Sequence, residues 1–97
     1  MNLSHLHYFE TLAETKNFQE AAQVESITQP TLSQAINGLE KELGCRLFIR
    51  KKGSVYLTEK GTQFYQYVST SLRFLNTGIE LTQNTTPLKK EIRMGSI

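Results

Sequence analysis

Residues 18–43, FQEAAQVESITQPTLSQAINGLEKEL, constrain this chain more than any other stretch, because they hold two helical patterns joined by a very short polar link. In the second pattern Leu32, Ile36, Leu39 and Leu43 recur at steps of four, three and four, one stripe of a helical period that faces a core. Thr28 sits where an N-cap hydroxyl accepts an orphan amide of the first turn. Pro30 falls inside that turn, where its missing N–H costs nothing. The first pattern starts at Asn17, with Glu20 placed as in a capping box, and Phe18, Ala21 and Ala22 form its apolar side. Glu25-Ser26-Ile27-Thr28 is the turn between them, with Ile27 as its apolar plug. The arrangement predicts a helix-turn-helix.

The outer face of the second helix carries Gln29, Thr31, Ser33, Gln34 and Asn37, and no acidic residue precedes Glu40. A helix start without carboxylates suits a polyanion, since its dipole and free N–H groups favour phosphate, and Gln or Asn can pair bidentately with adenine. An ordinary solvated face has the same composition, so the rest of the chain must decide. Upstream, Leu3, Leu6, Phe9, Leu12 and Ala13 predict an amphipathic helix over about residues 3–14 that packs beneath the motif. His5 and His7, two apart, lie on different sides of it and have no partner at a metal-ligand spacing.

Downstream, Gly44 is placed to end the second motif helix in a left-handed conformation. Leu47-Phe48-Ile49-Arg50 and Val55-Tyr56-Leu57, separated by Lys51-Lys52-Gly53-Ser54, predict a β-hairpin with a basic tip. Net charge is only +2, but residues 46–60 carry five basic side chains against one acid, a local +4 that leaves the remainder at −2. Beside a helix-turn-helix, such clustering points to a wing that grips phosphates or enters the minor groove. The expected backbone contacts are Thr28, Arg50, Lys51, Lys52 and Ser54, and the expected base-reading residues are Gln29, Pro30, Thr31, Ser33, Gln34 and Asn37. The lone Cys45 reads as a small packing residue.

From Thr58, a plausible N-cap position, a proline-free segment runs to about residue 83, enough for a helix of roughly 38 Å. Tyr65, Leu72 and Ile79, with Val68 and Leu75, repeat at sevens and predict a coiled-coil-like seam between two copies of the chain. Residues 1–58 are thus expected to form the winged unit and residues 59–84 a dimerisation helix. Asn84-Thr85-Thr86-Pro87 ends it, and residues 85–97 read as a hinge and the start of a further domain.

NFQEAA, ITQPTLSQAINGLEKELG, LFIR and LTEKG together resemble the N-terminal DNA-binding domain of LysR-type transcriptional regulators, over residues 3–79. The resemblance implies a mainly α fold, a winged helix-turn-helix of three helices and a β-hairpin followed by a long linker helix. It also implies a homodimeric bacterial transcription factor, with the helix after Thr28 in the major groove. Tetramers remain open at full length. A small-molecule effector is expected on the further domain, with no cofactor in this chain. By the same resemblance Gln29, Pro30, Thr31 and Ser33 match the base-proximal turn, and Arg50 the basic residue opening the wing. Gln34 departs from the pattern where arginine is common. Glu25 departs where leucine usually closes the first motif helix, and is expected to turn outward while Val24 or Ile27 covers its place.

Ninety-seven residues make one small domain with a modest core, for which a dimer interface would help stability. No apolar run approaches the roughly 20 residues of a membrane span, no signal peptide opens the chain, and one cysteine forms no internal disulfide. The expectation is a cytoplasmic protein without membrane or metal partners. Enzyme signatures are missing: there is no Gly-rich phosphate loop, no Ser-x-x-Lys and no metal-ligand cluster. The alternative to double-stranded DNA binding is a dimerising protein-interaction module that keeps the winged fold without reading DNA.

Overall fold

The computed structural model describes residues 1–83. The expected end of the last helix at Asn84-Thr85-Thr86-Pro87 and the hinge assigned to residues 85–97 lie outside the described residues. In chain order the elements are α1 (Leu3–Thr15), α2 (Phe18–Glu25), α3 (Gln29–Leu43), β1 (Phe48–Lys51), β2 (Ser54–Leu57) and α4 (Glu59–Gln83).

Each helix begins where its cap residue dictates. The Asn2 side chain accepts the His5 N–H at 2.9 Å, Asn17 accepts the Glu20 N–H at 2.8 Å, and Thr28 Oγ1 accepts the Thr31 N–H at 3.3 Å. Thr58 does the same for Gly61 at 2.9 Å, while its own hydroxyl donates to the Arg46 carbonyl at 2.6 Å. Gly44 ends α3 in the left-handed region, as its position in the sequence suggests.

Phe9, Leu12, Leu32, Leu39 and Leu47 are fully buried and form the centre of the core, where α1, α3 and the approach to the wing meet. The Phe9 ring lies 5.3 Å from Phe48 and 5.1 Å from Phe64, so one aromatic of α1 joins β1 to α4. At Gly61 the backbone of α4 passes so close to Leu47 that an added Cβ would collide with the Leu47 carbonyl. Of the α3 stripe, Leu32, Ile36 and Leu39 are buried with Ala35, but Leu43, the last residue of the helix, is exposed past the edge of the core.

β1 and β2 pair antiparallel with Arg50 opposite Val55 and Lys51 opposite Ser54, leaving Lys52 and Gly53 as a two-residue turn. Both have positive φ, 50° and 79°, as the type I′ hairpin turn requires. Glycine meets that demand without strain at the second position.

Two further expectations need correction. Glu25 does not turn outward: it closes α2 half-buried, and the Thr11 hydroxyl of α1 donates to its carboxylate at 2.5 Å. A carboxylate in that place is tolerable because it is hydrogen-bonded. Ile27 packs against the core beside it, whereas Val24 is exposed.

The second correction concerns the continuous seam on α4. Val68 and Leu72 are 4% exposed and belong to the chain's own core, and Tyr65 is half-buried against it, its hydroxyl donating to Glu14 at 2.9 Å. These three side chains pack within the chain because the first half of α4 lies along α1. Of the expected seam only Leu75 and Ile79, 41% and 43% exposed, remain open.

Candidate nucleic-acid interface

The first turns of α3 set the surface. Successive residues of a helix turn by about 100°, so with Leu32, Ala35, Ile36 and Leu39 inward, Pro30, Gln34 and Asn37 run along the outward centre. Gln29 and Ser33 share one edge of that face, and Thr31 lies on the other. Gln29, Pro30, Thr31, Gln34 and Asn37 are exposed and Ser33 is half-buried.

The two edges border different grooves. On one side Gln29 lines an open groove of about 450 Å³ together with Arg50, Lys51, Lys52 and Ser54 of the wing, the α2 cap Asn17 and Gln19 of α2. Among the described residues no carboxylate lines it. On the other side Thr31 and Gln34 face Asn2, Ser4, His5 and Tyr8 at the start of α1. Asn37 sits lower, towards the end of α3, beside Lys41, Arg46 and Glu40. The expected base-reading set is therefore a strip along α3 whose first residue meets the basic wing and whose last lies away from it. Thr28 remains a cap, and its hydroxyl is 2.7 Å from that of Thr31, so both are engaged with each other.

The wing is held against this helix by α3's own acid. Glu40 Oε2 accepts the N–H groups of Leu47 and Phe48 at 2.7 and 3.2 Å, and Oε1 lies 3.7 Å from Arg46 Nε. On the far side the Val55 N–H donates to the Lys16 carbonyl at 3.0 Å, tying β2 to the loop before α2. The basic hairpin is thus fixed at both ends relative to α2 and α3.

Sequence reasoning missed two groups. Asn17 and Gln19 enter the groove only because the Val55–Lys16 bond brings the wing to α2, a long-range contact with no local signal. On α4, Tyr67, Phe74 and Leu81 are 75%, 74% and 75% exposed and form a second apolar stripe. Their spacing of seven is visible in the chain, but the better-populated stripe at residues 65, 68, 72, 75 and 79 masks it. Among the described residues no three His, Cys, Asp or Glu side chains gather as a metal site, and no helix is long and apolar enough to cross a membrane.

Residues 3–62 match the family model described as bacterial regulatory helix-turn-helix protein, lysR family. The chain is 37% identical over 97 residues to the HTH-type transcriptional regulator BenM of Acinetobacter baylyi, covering 100% of this chain and 32% of BenM. It is 46% identical over 76 residues to the HTH-type transcriptional regulator CatR of Pseudomonas putida, covering 78% of this chain and 26% of CatR. The chain thus spans about a third or less of the length of these relatives. The crystal structure of BenM_DBD in complex with catB site 1 DNA superposes with a TM-score of 0.82 at 38% identity, over 86% of this chain and 92% of that one.

Proposed function

The chain belongs to the lysR family of bacterial regulatory helix-turn-helix proteins, and from that premise we propose that it binds double-stranded DNA sequence-specifically, as a homodimer, in the service of transcription regulation. The groove that joins Gln29 to Arg50, Lys51 and Lys52 without a carboxylate carries this reading. It places an amide at the start of α3 next to three cations, so that α3 enters the major groove while the wing holds the backbone. The DNA seen with BenM_DBD supports it. A winged module that contacts only protein would present an apolar face at α3 rather than this polar strip.

The homodimer forms through the outer half of α4. Leu75 and Ile79 lie on one face of that half, whereas Tyr67, Phe74 and Leu81 turn about 120° away from them and are assigned no part in the contact. Two such chains would engage half-sites displaced by whole helical turns. By the same proposal the protein is cytoplasmic, this chain performs no catalysis and carries no cofactor, and a small-molecule effector binds outside these residues.

A fluorescence titration with random-sequence duplex DNA across a salt series tests the reading. Binding that weakens steeply and log-linearly with salt is expected from several phosphate contacts. No binding, or binding indifferent to salt, would overturn it.

A further inference from the structure

Arg50 leaves the wing on its inner face, the side of Phe48 and Val55, whereas Lys51 leaves on the side of Ile49 and Tyr56. Its guanidinium carbon lies 4.3 Å from the centre of the Phe18 ring. Among the described residues the ion pairs are Met1 with Glu42 and Arg46 with Glu40, and no carboxylate pairs with Arg50. With the ring against it and no carboxylate partner among the described residues, the guanidinium keeps N–H donors available to an anion.

The platform is rigid. Phe18 is the first residue of α2, follows the Asn17 cap directly and packs against the core. Val55, the cross-strand partner of Arg50, is bonded at 3.0 Å to the carbonyl of Lys16, two residues before Phe18. The backbone therefore fixes where the Arg50 side chain leaves the wing relative to the ring, in the groove that also holds Gln29.

We propose that Phe18 is a positioning residue for nucleic-acid binding, whose ring holds the Arg50 guanidinium at the mouth of the groove, ready to grip a backbone phosphate of duplex DNA. The inference rests on the DNA-binding reading above. A free arginine gives up rotamer freedom when it takes hold of a phosphate; one already stacked has given it up on folding, so affinity rises without a new contact. Phe18 touches no phosphate and acts through Arg50.

The test is a double-mutant cycle, read by fluorescence anisotropy with a random-sequence duplex of about three helical turns across a salt series. Arg50→Ala should flatten the salt slope by about 0.9, the signature of one lost phosphate contact. Phe18→Leu, which keeps the apolar packing, should leave the slope unchanged and weaken binding about threefold, and Phe18→Tyr should bind like the parent. In the Arg50→Ala background Phe18→Leu should cost nothing further, which loss of packing alone would not produce. Arg50→Lys, a surface change that leaves the core intact, should also weaken binding about threefold despite keeping its charge. The role of Phe18 is overturned if Phe18→Leu weakens Arg50→Ala as much as it weakens the parent, or if Arg50→Lys binds as tightly as the parent. Failure of the parent to bind any duplex overturns the DNA-binding reading itself, and this inference with it.

Discussion

The Leu47 N–H donates to the Glu40 carboxylate at 2.7 Å, joining the entry of the wing to α3. Phe48 adds a second N–H to the same oxygen at 3.2 Å, and the Glu40 side chain is only 12% exposed. Removing the acceptor leaves two partly buried donors without a partner. Glu40→Ala should therefore destabilise the fold by about 1–3 kcal/mol in chemical denaturation and loosen the wing. Hydrogen exchange at Leu47 and Phe48 that stays as slow as in the parent would contradict this role.

Lys51 and Lys52 are exposed at the wing tip and are proposed to touch backbone rather than base edges. Changing both to alanine should weaken binding to all duplexes alike and flatten the salt slope by about 0.9 per lost contact. A loss confined to one sequence would show that the wing reads bases.

Two apolar residues of α4 have opposite expected behaviour. Leu75, 41% exposed, can accept a charge without disturbing the winged unit, so Leu75→Lys should yield a folded monomer by sedimentation. Leu72, 4% exposed, lies in the core, and Leu72→Lys should unfold the chain rather than split a dimer. An intact Leu75→Lys dimer would place the interface elsewhere.

Much of this was legible in the residues. The caps Asn17, Thr28 and Thr58, the α3 stripe and the hairpin follow from local chemistry, which acts within a turn of helix or across one loop. What the chain concealed depends on distant partners. Val68 and Leu72 have the spacing of a coiled-coil seam, and only the packing of α4 on α1 shows that they face inward. Glu25 looked misplaced until Thr11, fourteen positions away, supplied its hydrogen bond. The basic wing was evident, but the inward direction of Arg50 and the part of Asn17 and Gln19 in its groove needed the Val55–Lys16 bond.

Tyr65 gives a pH signature. Burial raises its phenol above the ordinary 10.0, and the hydrogen bond to the Glu14 carboxylate raises it further. A folded pKa above the unfolded one means that the contribution is whole below pH 10.0 and is lost as pH rises through the folded value. Thermal unfolding across that window should fall more steeply for the parent than for Tyr65→Phe. Parallel curves would remove Tyr65 from the account.

The division of labour between helix and wing is tested most directly at Gln29. Its amide lies at the exposed start of α3, beside the wing cations, with Pro30 next to it offering apolar surface to a thymine methyl. An AT-leaning, imperfectly palindromic site should emerge when the protein selects from a random duplex pool. The decisive measurement compares parent and Gln29→Ala on that selected site and on random DNA at one salt concentration. A loss of about 1–3 kcal/mol on the selected site with little change on random DNA is predicted, because base contacts specify and phosphate contacts do not. Equal losses on both would contradict it, making Gln29 a backbone contact and moving the base-reading face to Ser33 and Gln34.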